Sequence, residues 1–167
     1  MKQKYIDLYM DWALRLTQLS HAKRLQVGAV VVKDDCVISY GYNGMPAGWD
    51  NNCEDTVFVL DEEVMGTNML GLGYTQTENG NWTRLKTKPE VLHAESNAIA
   101  KLAKSGNSGL GADLFVTHSP CIECAKLIHQ SGIGRVFFGN HYRDDSGINF
   151  LKKSGVEVTY IGTLIQR

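Results

Sequence analysis

Apolar side chains at Ile6, Tyr9, Met10, Ala13, Leu16 and Leu19 recur at helical spacing with polar residues between them. That period predicts an amphipathic packing helix over residues 2–20. The period then changes. Residues 26–32 (QVGAVVV) form a short valine-rich run, the pattern of a buried strand, because β-branched side chains suit a pleated surface. Lys33-Asp34-Asp35 reads as a tight turn and residues 36–41 as the returning strand of a hairpin. The stretch 41–48 is too punctuated by glycine and proline for either regular element. Residues 49–88 hold no period, with Gly66, Gly71, Gly73 and Gly80 interrupting them; the expectation there is a helix over 55–65 and otherwise a long loop or insertion. Order returns with a helix over 94–105 stopped by Gly106, a strand over 112–118, and a helix opened by Ser119-Pro120 that ends at Gly132. A strand over 135–139, a short helix over 148–154 and a strand over 156–161 complete the pattern. Helix and strand alternating in this way place parallel strands between helices, in the α/β class.

Composition narrows what such a fold could do. The chain has 167 residues, 17 basic and 18 acidic, for a net charge of −1. That length suits one domain, 1–167, with its own core. The near-neutral charge speaks against nucleic acid as a partner, since sequence-independent binding needs a basic surface. No apolar run approaches the roughly 18 residues needed to cross a bilayer, and the first residues carry acidic side chains rather than a signal-peptide core. The expectation is a cytoplasmic protein with no membrane partner. Asn81-Trp82-Thr83 matches a glycosylation sequon, which is read as chance in that setting. The 4 cysteines are too few for a disulfide scaffold.

Two of those cysteines carry chemistry. Cys121-Ile122-Glu123-Cys124 is a C-x-x-C at a helix start, where both sulfurs can face one point and the helix dipole favours thiolate. With His93 they make a ligand set of one imidazole and two thiolates, which suits zinc and leaves a fourth tetrahedral position open, the mark of a catalytic site. Glu95 follows His93 by two residues, so the two do not share a helix face. His93 must then sit at the cap with its ring turned back, while Glu95 occupies the first turn and moves protons for a metal-activated water. A redox pair or half of a structural zinc site are the alternatives for a C-x-x-C. The full pattern, His93-x-Glu95 followed by Pro120-Cys121-x-x-Cys124, is the signature of zinc deaminases, with the glutamate as acid and base.

The chain resembles the zinc-dependent cytidine and deoxycytidylate deaminases, and within them the deoxycytidylate (dCMP) branch. The resemblance runs from about residue 27 to 142 apart from 56–88. It is carried by Val27-Gly28-Ala29, Gly41-Tyr42-Asn43-Gly44-Met45-Pro46-Ala47-Gly48, His93-Ala94-Glu95-Ser96-Asn97-Ala98-Ile99 and Ser119-Pro120-Cys121-Ile122-Glu123-Cys124-Ala125-Lys126. It implies a three-layer α-β-α sandwich around a mixed sheet of about five strands. It implies one zinc ion on His93, Cys121 and Cys124, with Glu95 as proton shuttle. Substrate would be held by Gly28, Ala29, Asn43, Ala94, Ser119, Pro120 and Tyr142, with Asn43 on the deoxyribose. Tyr42, Asn43, Gly44, Met45, Pro46 and Gly48 would meet an allosteric nucleotide, dCTP as activator or dTTP as inhibitor, with Mg²⁺ on the triphosphate. The reaction implied is hydrolysis of dCMP to dUMP and ammonia, feeding thymidylate synthesis, in a homohexamer.

Three departures qualify the resemblance. Ser96 stands where the family often has leucine. Tyr142-Arg143-Asp144-Asp145 keeps an aromatic residue but only approximates the acidic pattern after it. A second, structural zinc found in some members lacks its ligands here: no histidine lies in 81–92, Val91 and Leu92 precede His93, and Cys53 with His21 makes a poor site. Cys36 and Cys53 are therefore read as packing residues. Lys23, Arg24 and Lys126 are candidates for the 5′-phosphate by position, against the alternative of solvated surface charges. Trp49, Tyr74 and Trp82 could close over a nucleotide or pack on a neighbouring subunit. The competing functions are a tRNA adenosine deaminase, disfavoured by the charge, and a non-catalytic nucleotide sensor, which would have no need of Glu95.

Overall fold

The computed structural model describes residues 1–58 and 73–162. Its helices are α1 (Gln3–Leu16), α2 (Ala94–Ser105), α3 (Ile122–Gln130) and α4 (Ser146–Lys153). Its strands are β1 (Gly28–Lys33), β2 (Cys36–Tyr42), β3 (Glu54–Phe58), β4 (Thr75–Gln76), β5 (Trp82–Thr87), β6 (Asp113–His118), β7 (Arg135–Asn140) and β8 (Glu157–Tyr160). None of these helices is long and apolar enough to cross a membrane.

The valine run behaves as its composition predicts. β1 lies inside a five-stranded sheet of order β2-β1-β6-β7-β8. It pairs antiparallel with β2 and β6, whereas β6–β7 and β7–β8 are parallel, so the sheet is mixed. Asp34 and Asp35 join β1 to β2 at φ values of 50° and 60°. Two successive left-handed residues match the right-handed twist of a tight hairpin, and aspartate tolerates that conformation better than most side chains.

Period-two alternation divides the core. Val30 and Val32 face α1, packing with Tyr9, Met10, Ala13, Phe115 and Phe137. Ala29 and Val31 face the other way, into a cluster with Ala94 and Ala98 of α2, Ala125 and Ile128 of α3, and Ile148 and Leu151 of α4. The result is the three-layer sandwich. Phe115 and Phe137 stack with ring centroids 4.8 Å apart on the α1 side. Burial of each such ring contributes about 1.5–3 kcal/mol. Asp113 and Arg135 fasten the starts of β6 and β7 through two hydrogen bonds of 2.6 and 2.7 Å. The C-terminal ends of the parallel strands therefore emerge at one edge, the usual place for a ligand in an α/β sheet.

The segment 49–88 departs from expectation. Residues 54–58 are strand rather than the start of a helix, and the remainder of the expected helix, 59–65, lies outside the described residues. Nor is the rest simply loop: β3, β5 and β4 form a separate antiparallel sheet in that order. Thr56, Val57 and Phe58 have the shape for a pleated surface, and they pair in register with Leu85, Arg84 and Thr83 of β5.

Candidate active site

Three side chains converge at the starts of two helices. His93 is the residue before α2, in an extended conformation (φ −73°, ψ 157°) that turns its ring away from the helix axis. Cys121 stands in the same relation to α3 (φ −70°, ψ 168°), and Cys124 lies in the first turn of that helix. His93 Nδ1 is 3.5 Å from the Sγ of Cys121 and 3.5 Å from the Sγ of Cys124. A tetrahedral ion with Zn–N of about 2.0–2.1 Å and Zn–S of about 2.3 Å needs N···S separations of about 3.6 Å. All three ligand atoms lie within 4.8 Å of one another. The donor set and its size fit zinc, with Nδ1 as the imidazole ligand.

The three side chains shift one another's protonation. Cys121 is pushed down to about 3 by a hydrogen bond from Cys124 and by His93, against the opposing effect of burial. That same hydrogen bond, with burial, pushes Cys124 up. His93 is raised by its bond to Cys121, which outweighs desolvation. The thiolate is thus favoured at Cys121 and disfavoured at Cys124.

Glu95 enters from the first turn of α2 and is only 4% exposed. Burial, partly offset by a main-chain hydrogen bond and the nearby His93, raises its carboxyl to about 7. A carboxyl there can take and return protons near neutral pH. A divalent cation alongside would lower the value and keep it ready to accept.

Backbone contacts fix these helix starts. A Cβ on Gly41 of β2 would strike the Ala94 carbonyl oxygen, and one on Gly147 of α4 would strike that of Pro120. Only glycine lets main chain approach so closely. The site edge is laced together as well: Ser119 N–H bonds Asn140 O (2.8 Å), Asn140 Nδ2 bonds Thr117 O (3.0 Å), and Tyr142 N–H bonds Ser119 Oγ (2.8 Å).

A cavity of about 270 Å³ opens here, lined by His93, Ala94, Glu95 and Cys121 and also by Asn43, Ser119 and Tyr142. Asn43 uses both ends of its amide on the neighbouring chain, accepting from Val27 N–H (2.8 Å) and donating to Leu25 O (2.7 Å). Gly28, Ala29 and Pro120 do not line the cavity. Gly28 N–H is spent on Thr117, and Ala29 is fully buried between Gly41 and Val116 in the sheet. Of the phosphate candidates only Arg24 lines it, with Nη1 bonded to Thr87 Oγ1 at 3.0 Å. Lys126 instead pairs with Glu123 at 2.6 Å.

Tyr42, Gly44, Met45, Pro46 and Gly48 lie off the cavity. Gly44 bridges Leu92 through a reciprocal pair of backbone bonds, and Met45 packs against Ala22, Cys53 and Val91. In that small apolar cluster, burial raises the Cys53 thiol. Sequence reasoning missed Arg143, His118, Thr87 and Glu54, which all line the cavity. Only Arg143 carried a signal, as a cation directly after Tyr142.

A family model for the cytidine and deoxycytidylate deaminase zinc-binding region matches residues 3–140. The chain belongs to this deaminase family. It is 33% identical over 166 residues to the deoxycytidylate deaminase of phage T4, covering 87% of this chain and 84% of that one. It is also 33% identical over 135 residues to ComE operon protein 2 of Bacillus subtilis, covering 81% of this chain but 59% of that longer relative. Among solved structures it resembles the dCMP deaminase of cyanophage S-TIM5 in complex with dCMP and dUMP. That match has a TM-score of 0.76 at 38% identity and covers 96% of this chain and 99% of the other. The deaminase fold expected from the motifs, a mixed five-stranded sheet between helical layers, is the fold found.

Proposed function

We propose that this deaminase hydrolyses dCMP to dUMP and ammonia. The observation that carries this is a buried glutamate, Glu95, beside a His-Cys-Cys triangle of tetrahedral zinc dimensions, facing a cavity that also holds two arginines. Zinc, when bound, supplies a Lewis acid that makes water nucleophilic near neutral pH. Glu95 takes a proton from the water that attacks C4 and delivers protons to N3 and to the departing amine. Asn43, Ser119 and Tyr142 position the nucleoside, with the deoxyribose against Asn43. Similarity to phage deoxycytidylate deaminases along most of the chain supports the choice of substrate. Ammonia release from dCMP, cytidine and a tRNA anticodon stem, assayed side by side with zinc-loaded protein, tests it. Turnover of dCMP alone is expected, and preference for the tRNA stem would overturn it.

Arg24 and Arg143 hold the 5′-phosphate, since both line the cavity and guanidinium matches phosphate oxygens. Arg143→Ala is expected to raise KM for dCMP by about 10- to 100-fold with a smaller effect on kcat. An unchanged KM assigns the phosphate elsewhere.

Regulation belongs to the same proposal. Residues 42–48 take dCTP or dTTP with Mg²⁺, and the chain works as a homohexamer in the cytoplasm, supplying dUMP for thymidylate synthesis. Asn43 supports the coupling: it lies in this loop, lines the cavity and ties down residues 25 and 27, so movement of the loop reaches the substrate. The whole chain, 1–167, is one deaminase domain with 49–88 as its insertion.

A further inference from the structure

We propose that Glu54 reads the sugar's 3′-hydroxyl and thereby confines the cavity to free mononucleotides; this rests on the dCMP activity proposed above. Glu54 opens β3, lines the cavity and is 5% exposed. Its Oε1 is fully engaged, accepting from the backbone N–H of Lys23 (3.0 Å) and of Arg24 (3.2 Å). Its Oε2 is equally buried and has no donor among the described residues. A carboxylate oxygen sealed from water without a donor is costly, so its place in a ligand cavity points to a donor brought by the ligand.

The chemistry of dCMP leaves one donor to bring. Its exocyclic amine is at C4, committed to the zinc and Glu95 end. Its ionised phosphate accepts hydrogen bonds and belongs with the arginines. The 3′-hydroxyl is the remaining O–H, and the sugar lies between those two ends. Glu54 accepts from the Arg24 main chain, so it stands beside the arginine assigned above to the 5′-phosphate. The second consequence is exclusion. A nucleotide within a strand carries a phosphodiester on that oxygen, which has no proton to donate and puts a negative charge against the carboxylate. The small sheet β3-β5-β4, unforeseen in the sequence, thus supplies a specificity residue to a site otherwise built on the main sheet.

Zinc-loaded protein is compared on dCMP, 2′,3′-dideoxycytidine 5′-monophosphate and deoxycytidine 3′,5′-bisphosphate. Wild type is expected to prefer dCMP over each analogue by about 100-fold in kcat/KM, as sites built around a substrate hydroxyl do. Glu54→Gln keeps an oxygen for the Lys23 and Arg24 N–H groups but removes the charge. It is expected to lower activity on dCMP and shrink both preferences by about tenfold or more. Glu54→Ala gives the same comparison should the glutamine variant lose zinc or its fold. Wild type that turns over the dideoxy analogue as well as dCMP overturns the role of Glu54, as do preferences unchanged in a folded, zinc-loaded variant. Failure of wild type to release ammonia from dCMP at all overturns the proposed activity, and this inference with it.

Discussion

Glu95→Gln is expected to retain zinc and lose turnover by about 10³-fold or more, equivalent to about 4 kcal/mol of transition-state stabilisation. The substitution preserves volume and polarity, and none of the three sulfur and imidazole ligands is disturbed. What disappears is the group proposed to move protons between water, N3 and the leaving amine. Zinc content by metal analysis and kcat on dCMP are the measurements, and substantial activity in the zinc-loaded variant would remove Glu95 from the mechanism. Stability should move the opposite way. In the metal-free protein the Glu95 carboxyl is raised by burial from 4.5 to about 7. The native state therefore holds this proton more tightly than the unfolded chain, so the group's contribution to stability is fully present below about pH 4.5 and is lost as pH rises to about 7. The full loss is about 3 kcal/mol on the scale of 1.36 kcal/mol per unit. Metal-free Glu95→Gln should accordingly melt above metal-free wild type at pH 8, with the gap closing towards pH 4.

Zinc binding is expected to release about one to two protons near pH 7 and to weaken steeply in acid. His93 and Cys124 are both raised in the metal-free site and give up protons to become ligands, whereas Cys121, held down at about 3, is already thiolate. Each proton displaced costs about a factor of ten in affinity per pH unit, so two of them give about 100-fold. Titration calorimetry in buffers of different ionisation enthalpy counts the protons, and competition with a chelator from pH 8 to 6 follows the affinity. An affinity independent of pH would mean that the three side chains are not the ligands.

The site was legible in sequence to the extent that its signals are local. His93 and Glu95 are two residues apart, Cys121 and Cys124 share one helix start, and a capping position already dictates how His93 must turn. The core strands were legible for a similar reason. β1 and β6 are buried on both faces, so their composition shows in short apolar runs. β3 is exposed at most positions and gains its identity from a partner, β5, that lies across the segment 59–72 in sequence. Nothing within residues 54–58 announces that pairing. Glu54 was invisible for the same reason: its anchoring donors are main-chain N–H groups at Lys23 and Arg24, and backbone leaves no trace in residue type. Gly28 and Ala29 sit in a matching motif and lie off the cavity lining, Gly28 bonded through its N–H to Thr117 and Ala29 fully buried in the sheet.

Gly41 and Gly147 set main chain against main chain at the starts of α2 and α3. A contact of that kind has no side chain to repack, so the spacing of the zinc ligands is indifferent to most substitutions around it. Arg24 ahead of β1, Glu54 on β3, Thr87 on β5 and Arg143 between β7 and α4 reach the same cavity from other segments. Among those positions Arg24 bonds to both Glu54 and Thr87, rather than to the backbone contacts that set the reacting centre. A chain built this way can acquire a new preference for sugar or phosphate without first relearning how to hold its metal.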